Sequence, residues 1–123
     1  MKDKILVVDD EEPILDLLHQ FLEGQGYEVT TASSGEDALE IVRSGGRFAA
    51  VISDVQMRGM SGWDFYVAAV QINRDLMDRF IFATGKPGSE EAEPIVASGK
   101  RLLTKPYLLP SILAQVHEVI AGK

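Results

Sequence analysis

Cysteine is absent from the 123 residues. That excludes a disulfide framework and any cysteine-ligated zinc or iron–sulfur centre, and it suits a reducing, cytoplasmic setting. Basic runs are missing as well. None exceeds Lys100-Arg101, and 12 Lys and Arg stand against 19 Asp and Glu, for a net charge of −7. A direct nucleic-acid surface is therefore not expected. No apolar stretch approaches the ~18 residues needed to span a bilayer, so a membrane partner is not expected either. Met1-Lys2-Asp3-Lys4 leads straight into the first apolar run and does not read as a signal peptide. The glycines form neither G-x-G-x-x-G nor G-x-x-x-x-G-K-[ST], which leaves dinucleotide and P-loop readings without support. Histidine occurs twice, at His19 and His117. Both fall in helical patterns and read as solvated positions rather than ligands or phosphodonors.

What is present has ordinary globular composition, 46% apolar and 25% charged. The length fits one domain over residues 1–123. The most informative stretch is Phe48-Ala49-Ala50-Val51-Ile52-Ser53-Asp54, an apolar run that stops at a carboxylate. Such a run predicts a strand buried on both faces, at the centre of a parallel sheet. Asp is a poor strand former and costly to bury as an ion, so Asp54 is expected at the strand's end, meeting water, a metal or a cation.

Lys4 to Val8 is a second such run, ending in Asp9-Asp10. Ile14, Leu17, Leu18, Phe21 and Leu22 then follow the i, i+3, i+4, i+7, i+8 spacing of one helix face, with Pro13 near its start. Tyr27–Ala32 alternates like a strand nearer an edge. Ser34-Gly35-Glu36-Asp37 opens a helix with acids in its first turn, where the dipole favours them. A third helix is predicted from Gly62 to about Arg74, apolar over a wide arc through Phe65, Tyr66, Val67, Ala69, Val70 and Ile72. A strand over Arg79–Gly85, a short helix before Ser98 broken by or starting at Pro94, a strand at Leu102–Thr104 and a final helix from Pro110 complete the chain. Strand and helix alternate five times, the pattern of parallel strands with right-handed crossovers and helices on both faces.

In such a sheet the strands' carboxyl ends share one rim, where ligands bind. Here that rim receives Asp9 and Asp10, Asp54, Thr84 and Lys105. Clustered carboxylates repel and raise one another's pKa, and a divalent cation relieves this. An all-oxygen donor set without His or Cys points to Mg2+, with Mn2+ as a substitute. Carboxylate-held metal, a lysine and a hydroxyl form equipment for phosphoryl transfer, and Asp54 is the natural nucleophile.

These residues resemble the response-regulator receiver domains of two-component signalling, over the full length. The features that carry the resemblance are Asp9-Asp10, Asp54, Thr84, Lys105-Pro106 and the segment from Asp54 to Gly62. The resemblance implies a flavodoxin-like doubly wound five-stranded sheet, order 2-1-3-4-5, an order for which a receiver protein is the standard example. It implies phosphoryl transfer to Asp54 from a sensor histidine kinase or a histidine phosphotransfer protein, as in a phosphorelay. It implies Mg2+ on Asp10, Asp54 and the Gln56 backbone carbonyl, with Asp9 acting through water. Lys105 would hold the phosphoryl group, with a cis bond to Pro106. Thr84 would act as the switch and shift the loop and the helix 4–strand 5–helix 5 face. The output would be a downstream protein partner or a fused effector, and the short turn before Lys105 leans toward hybrid-kinase receivers.

Several positions depart from that family. Arg58 stands where proline is usual, and Leu102 fills the switch position normally held by Tyr or Phe, which implies a signalling face without aromatic rotamer coupling. The turn from Gly99 to Lys105 is one residue shorter than the common pattern. Tyr107-Leu108 replaces Phe-Asp, leaving the last helix without a side-chain cap, and Gln56 and Lys86 flank the phosphate. Such a domain catalyses its own phosphorylation and hydrolysis but is no enzyme toward a separate substrate. The rivals are a magnesium-dependent aspartyl-phosphate phosphatase, which wants an acid where Gln56 stands, a flavin-binding electron carrier of the same strand order, and a phosphate-independent pseudo-receiver.

Overall fold

The computed structural model describes residues 2–122. Five strands, β1 (Lys4–Val8), β2 (Glu28–Ala32), β3 (Ala50–Asp54), β4 (Phe80–Thr84) and β5 (Arg101–Thr104), alternate with five helices. These are α1 (Glu12–Gly24), α2 (Gly35–Arg43), α3 (Gly62–Ile72), α4 (Glu93–Ala97) and α5 (Leu109–Ile120). The strands form one parallel sheet in the order β2-β1-β3-β4-β5: the parallel pairing follows the strand–helix alternation, and the flavodoxin-like order is the one the receiver resemblance implies.

Alternation along the central strands divides the core. Ile5, Val7, Ile52 and Ile81 pack under α1 and α5, against Leu15, Leu18, Leu22, Ile112 and Val116. Leu6, Val51, Phe80 and Phe82 pack on the opposite face against α2, α3 and Ile95 of α4. Phe65, Tyr66, Phe80 and Phe82 form one aromatic cluster, with Trp63 stacked on Tyr66 at 5.0 Å between ring centroids. Side chains buried on both faces of β1, β3 and β4 account for their uninterrupted apolar runs.

Local chemistry sets the boundaries. Ser34 caps α2 by accepting from the Asp37 amide at 3.0 Å, and Ser61 does the same for α3 through Asp64 at 3.1 Å. Gly26 and Gly45 take positive φ just past α1 and α2. No side chain caps α5, whose first turn instead carries Pro110.

Several expectations need correction. Phe48 and Ala49 precede β3 rather than belonging to it. The buried stripe of α1 is rotated: Leu15 is 3% exposed, whereas Leu17 is 48% exposed. Both lie within one residue of the sequence stripe, and the position of α1 over β1 and β2 decides between them. On α3, Val67 and Ile72 face outward, because the sheet and α2 cover only the arc holding Phe65, Tyr66 and Ala69. The helix also ends at Ile72, and Asn73 starts a separate 3-10 turn, Arg74–Asp78, by accepting from the Asp75 amide at 3.1 Å. That turn buries Leu76 in the core.

Candidate functional site

Strand register assembles the rim. Val8 pairs with Ser53, Asp54 with Ala83, and Thr84 with Thr104, so β1, β3, β4 and β5 end level with one another. The backbone ladder continues past the strands, with the Lys105 amide donating to the Thr84 carbonyl at 2.7 Å. The peptide bond between Lys105 and Pro106 is cis.

The Lys105 ammonium bridges two carboxylates, donating to Asp9 Oδ2 at 3.0 Å and standing 3.4 Å from Asp54 Oδ1. Asp9 is fixed from its other side, where Oδ1 accepts from the Glu11 amide at 3.0 Å. Asp9, Asp10 and Asp54 each offer a carboxylate oxygen within 4.8 Å of the others, so the three form an acidic cluster that could hold a metal ion. Asp54 lies at the strand's end as expected, but it is more enclosed than a water-facing carboxylate would be, at 6% exposure.

Burial and charge set the protonation chemistry. Burial, aided by repulsion from Asp9 and Asp10, lifts the Asp54 carboxyl to about 6, while Lys105 opposes the rise. Burial works against the charged form of Lys105, but its hydrogen bond to Asp9 and the field of Asp54 outweigh it, and its pKa is raised. Tyr107, which the sequence marks only as a departure before the last helix, stands half-buried beside this group. Its phenol is raised chiefly by burial, against the pull of Lys105. Lys105 and the exposed Arg58 against three acids leave an excess of negative charge, and the donors offered by the cluster are all oxygens. That donor set fits a hard divalent cation such as Mg2+.

The loop after Asp54 closes the site. The Arg58 amide donates weakly to Asp10 Oδ2 at 3.4 Å, and the Arg58 Nε lies 4.0 Å from the same oxygen, so the residue standing in for the usual proline faces an acid of the cluster. Gly62 packs against the backbone of Asp54, where a Cβ would collide with the Asp54 carbonyl oxygen. Thr84 is fully buried, and its hydroxyl donates to Gln56 Oε1 at 2.6 Å while accepting from the Lys86 amide at 2.9 Å. Leu102 is half-buried against the α3 side of the core. His19 and His117 are exposed and remote from the cluster, His19 beside Glu23 and His117 near Tyr27. Every residue predicted at the rim is thus found there. The side-chain contacts of Gln56 went unpredicted, since nothing in a single sequence pairs it with Thr84.

The profile described as "Response regulator receiver domain" matches residues 5–117. A curated relative, the uncharacterized transcriptional regulatory protein YrkP of Bacillus subtilis, is 33% identical over 117 residues, 94% of this chain and 48% of the relative. The chain spans about half the length of the curated relatives it matches. Among solved structures, the chemotaxis protein CheY4 of Vibrio cholerae is 30% identical with a TM-score of 0.84, covering 97% of this chain and 99% of that one. A CheY-like receiver domain protein of Methanospirillum hungatei is 25% identical with a TM-score of 0.89, over 99% and 96% of the two chains.

Proposed function

The chain belongs to the response regulator receiver domains of two-component signalling, and we propose that Asp54 is its phosphoacceptor. The observation that carries this reading is the Lys105 ammonium held within 3.4 Å of both Asp9 and Asp54 at the rim of the sheet. An Asp54 carboxylate oxygen attacks phosphorus on a phosphohistidine of a sensor kinase or histidine phosphotransfer protein. The P–O bond forms as the P–N bond breaks, and the electron pair returns to the imidazole nitrogen, which takes up a proton. Lys105 carries the negative charge of the phosphoryl oxygens, and the Thr84 hydroxyl donates to one of them. Asp10, Asp54 and the Gln56 backbone carbonyl would hold Mg2+, with Asp9 acting through water, and the ion when bound would supply positive charge against the phosphoryl oxygens. Hydrolysis of the acyl phosphate resets the domain, so the chemistry is self-catalysed and confined to the phosphorylation and dephosphorylation of its own Asp54.

The output lies beyond these residues. The half-length match to relatives named as transcriptional regulators supports a fused effector, and any nucleic-acid contact would belong to that part. A receiver from a hybrid histidine kinase is also similar, at 27% identity and a TM-score of 0.79. Among the described residues no helix is long and apolar enough to cross a membrane; we assign the domain to the cytoplasm on the histidine-kinase donor alone.

Intact mass after incubation with Mg2+ and acetyl phosphate tests the reading. The expected result is one added phosphoryl group on the wild type and none on Asp54→Asn. An unmodified wild type, or equal labelling of the variant, would overturn it.

A further inference from the structure

We propose that the Gln56 side chain is a positioning residue for Thr84 and the tether between the phosphoacceptor pocket and the start of α4; the proposal rests on the phosphoacceptor reading of Asp54. The contacts run in one direction. The Thr84 hydroxyl donates to Gln56 Oε1 at 2.6 Å, and Gln56 Nε2 donates to Ser89 Oγ at 2.8 Å. Ser89 Oγ in turn accepts from the Ala92 amide at 3.3 Å, next to the first residue of α4. The Lys86 amide already donates to Thr84 Oγ1 at 2.9 Å, which turns the Thr84 proton toward Gln56. Two residues after the phosphoacceptor, the chain therefore reaches across to the β4–α4 loop through a single carboxamide.

Thr84 has one hydroxyl proton. It can be given to Gln56 or to a phosphoryl oxygen on Asp54, not to both at once. In the unphosphorylated state the proton is committed to Gln56, and the other end of the same amide holds Ser89. Redirecting the proton to a phosphoryl oxygen leaves Gln56 Oε1 without its donor and frees the amide to turn. Ser89, and with it residues 85–92, loses its anchor. The amide thus provides a route from phosphate to α4 in a domain whose usual aromatic switch position is Leu102, a side chain that offers no polar contact.

The tether is a bond that phosphorylation must break, so removing it favours the phosphorylated form. Gln56→Met keeps the bulk and removes both hydrogen bonds. Ser89→Ala keeps the bond to Thr84 and removes the second, together with the contact from the Ala92 amide to Ser89 Oγ. In metal-free protein, Gln56→Met is expected to speed amide exchange from Lys86 to Ala92 by about two- to twelvefold, the worth of one net hydrogen bond, with β1 and β3 unchanged. Binding of beryllofluoride with Mg2+, followed by Trp63 fluorescence, is expected to tighten by a similar factor in Gln56→Met and by less in Ser89→Ala. Ser89→Ala should add less in Gln56→Met than in the wild type, because the two substitutions share the Gln56–Ser89 contact. Unchanged exchange in Gln56→Met, unchanged or weaker beryllofluoride binding, or effects that add in the double variant would each overturn the tether. Failure of the wild type to take beryllofluoride would overturn the phosphoacceptor reading and the release step with it, while the exchange measurement still decides whether Gln56 holds the loop.

Discussion

At the carboxyl ends of the strands, Asp9, Ser53, Asp54 and Thr84 are the buried polar residues among those described. At the amino ends, Lys2, Lys4, Arg47, Arg79, Lys100 and Arg101 line an open groove of about 890 Å³. Ion pairs occur at both ends with similar separations. Lys105 stands 3.4 Å from Asp54, and Lys100 stands 3.6 Å from Asp78. Burial separates them. The Asp54 side chain is 7% exposed and the Asp78 side chain 91%. Water screens the pairs of the groove and leaves them worth little, whereas at the acidic rim each charge depends on its neighbours. The fold thus keeps its costly charges where ligands meet a parallel sheet and its inexpensive ones at the opposite end.

The sharpest way to break this contrast is Lys105→Met. It strands Asp9 and Asp54 without their shared cation, and in metal-free protein at pH 7 it is expected to cost about 3–5 kcal/mol, measured by urea unfolding. The loss should shrink toward pH 4 as Asp54, raised to about 6, neutralises. Asp54→Asn probes the same end with the opposite sign. Between its ordinary 3.8 and about 6, folded Asp54 binds more proton than the unfolded chain does. Stability from this group is therefore lost as pH rises through that window. The asparagine variant escapes this, so its advantage should grow from near zero at pH 4 to about 3 kcal/mol at pH 7.5 in metal-free protein. Equal stabilities at both pH values would remove the charge strain inferred at Asp54.

Magnesium should relieve the same strain. At a hundredfold excess over its Kd it is expected to raise the unfolding free energy by about 2.7 kcal/mol, read from the shift in urea midpoint. Asp54→Asn should lose most of that gain. The smallest effect belongs to the amino end. Glu28→Gln removes the exposed pair with Lys4, 3.7 Å apart, and should change stability by less than about 1 kcal/mol, falling further with added salt. A loss of several kcal/mol there would erase the distinction between the two ends.

The sequence makes the rim legible for a physical reason. An Asp or Lys closing an apolar, β-branched run has few places to go in a parallel sheet, so Asp9, Asp54, Thr84 and Lys105 could be brought together before any coordinates. The cis bond before Pro106 has a different source, since only the receiver resemblance implies it. Finer packing was hidden because it depends on partners. Leu15 and Leu17 lie close to one apolar arc of α1, and only the docking of that helix buries the first and exposes the second. The break at Asn73 was invisible for a related reason: a helical pattern and a 3-10 turn both accommodate Leu76. Gln56 reads as an ordinary loop amide until β4 sets Thr84 beside it.

Lys105 and Asp9 are 96 positions apart along the chain, and this has a consequence during synthesis. A ribosome delivers Asp9, Asp10 and Asp54 well ahead of Lys105, at translation speeds by roughly 3–10 s after Asp54. Until β5 docks on β4, the three acids lack the nascent chain's only nearby lysine counter-ion among the described contacts. The residue that follows β5 is thus the one that offsets part of the charge at Asp9 and Asp54, and chains interrupted before it would carry these acids without that lysine.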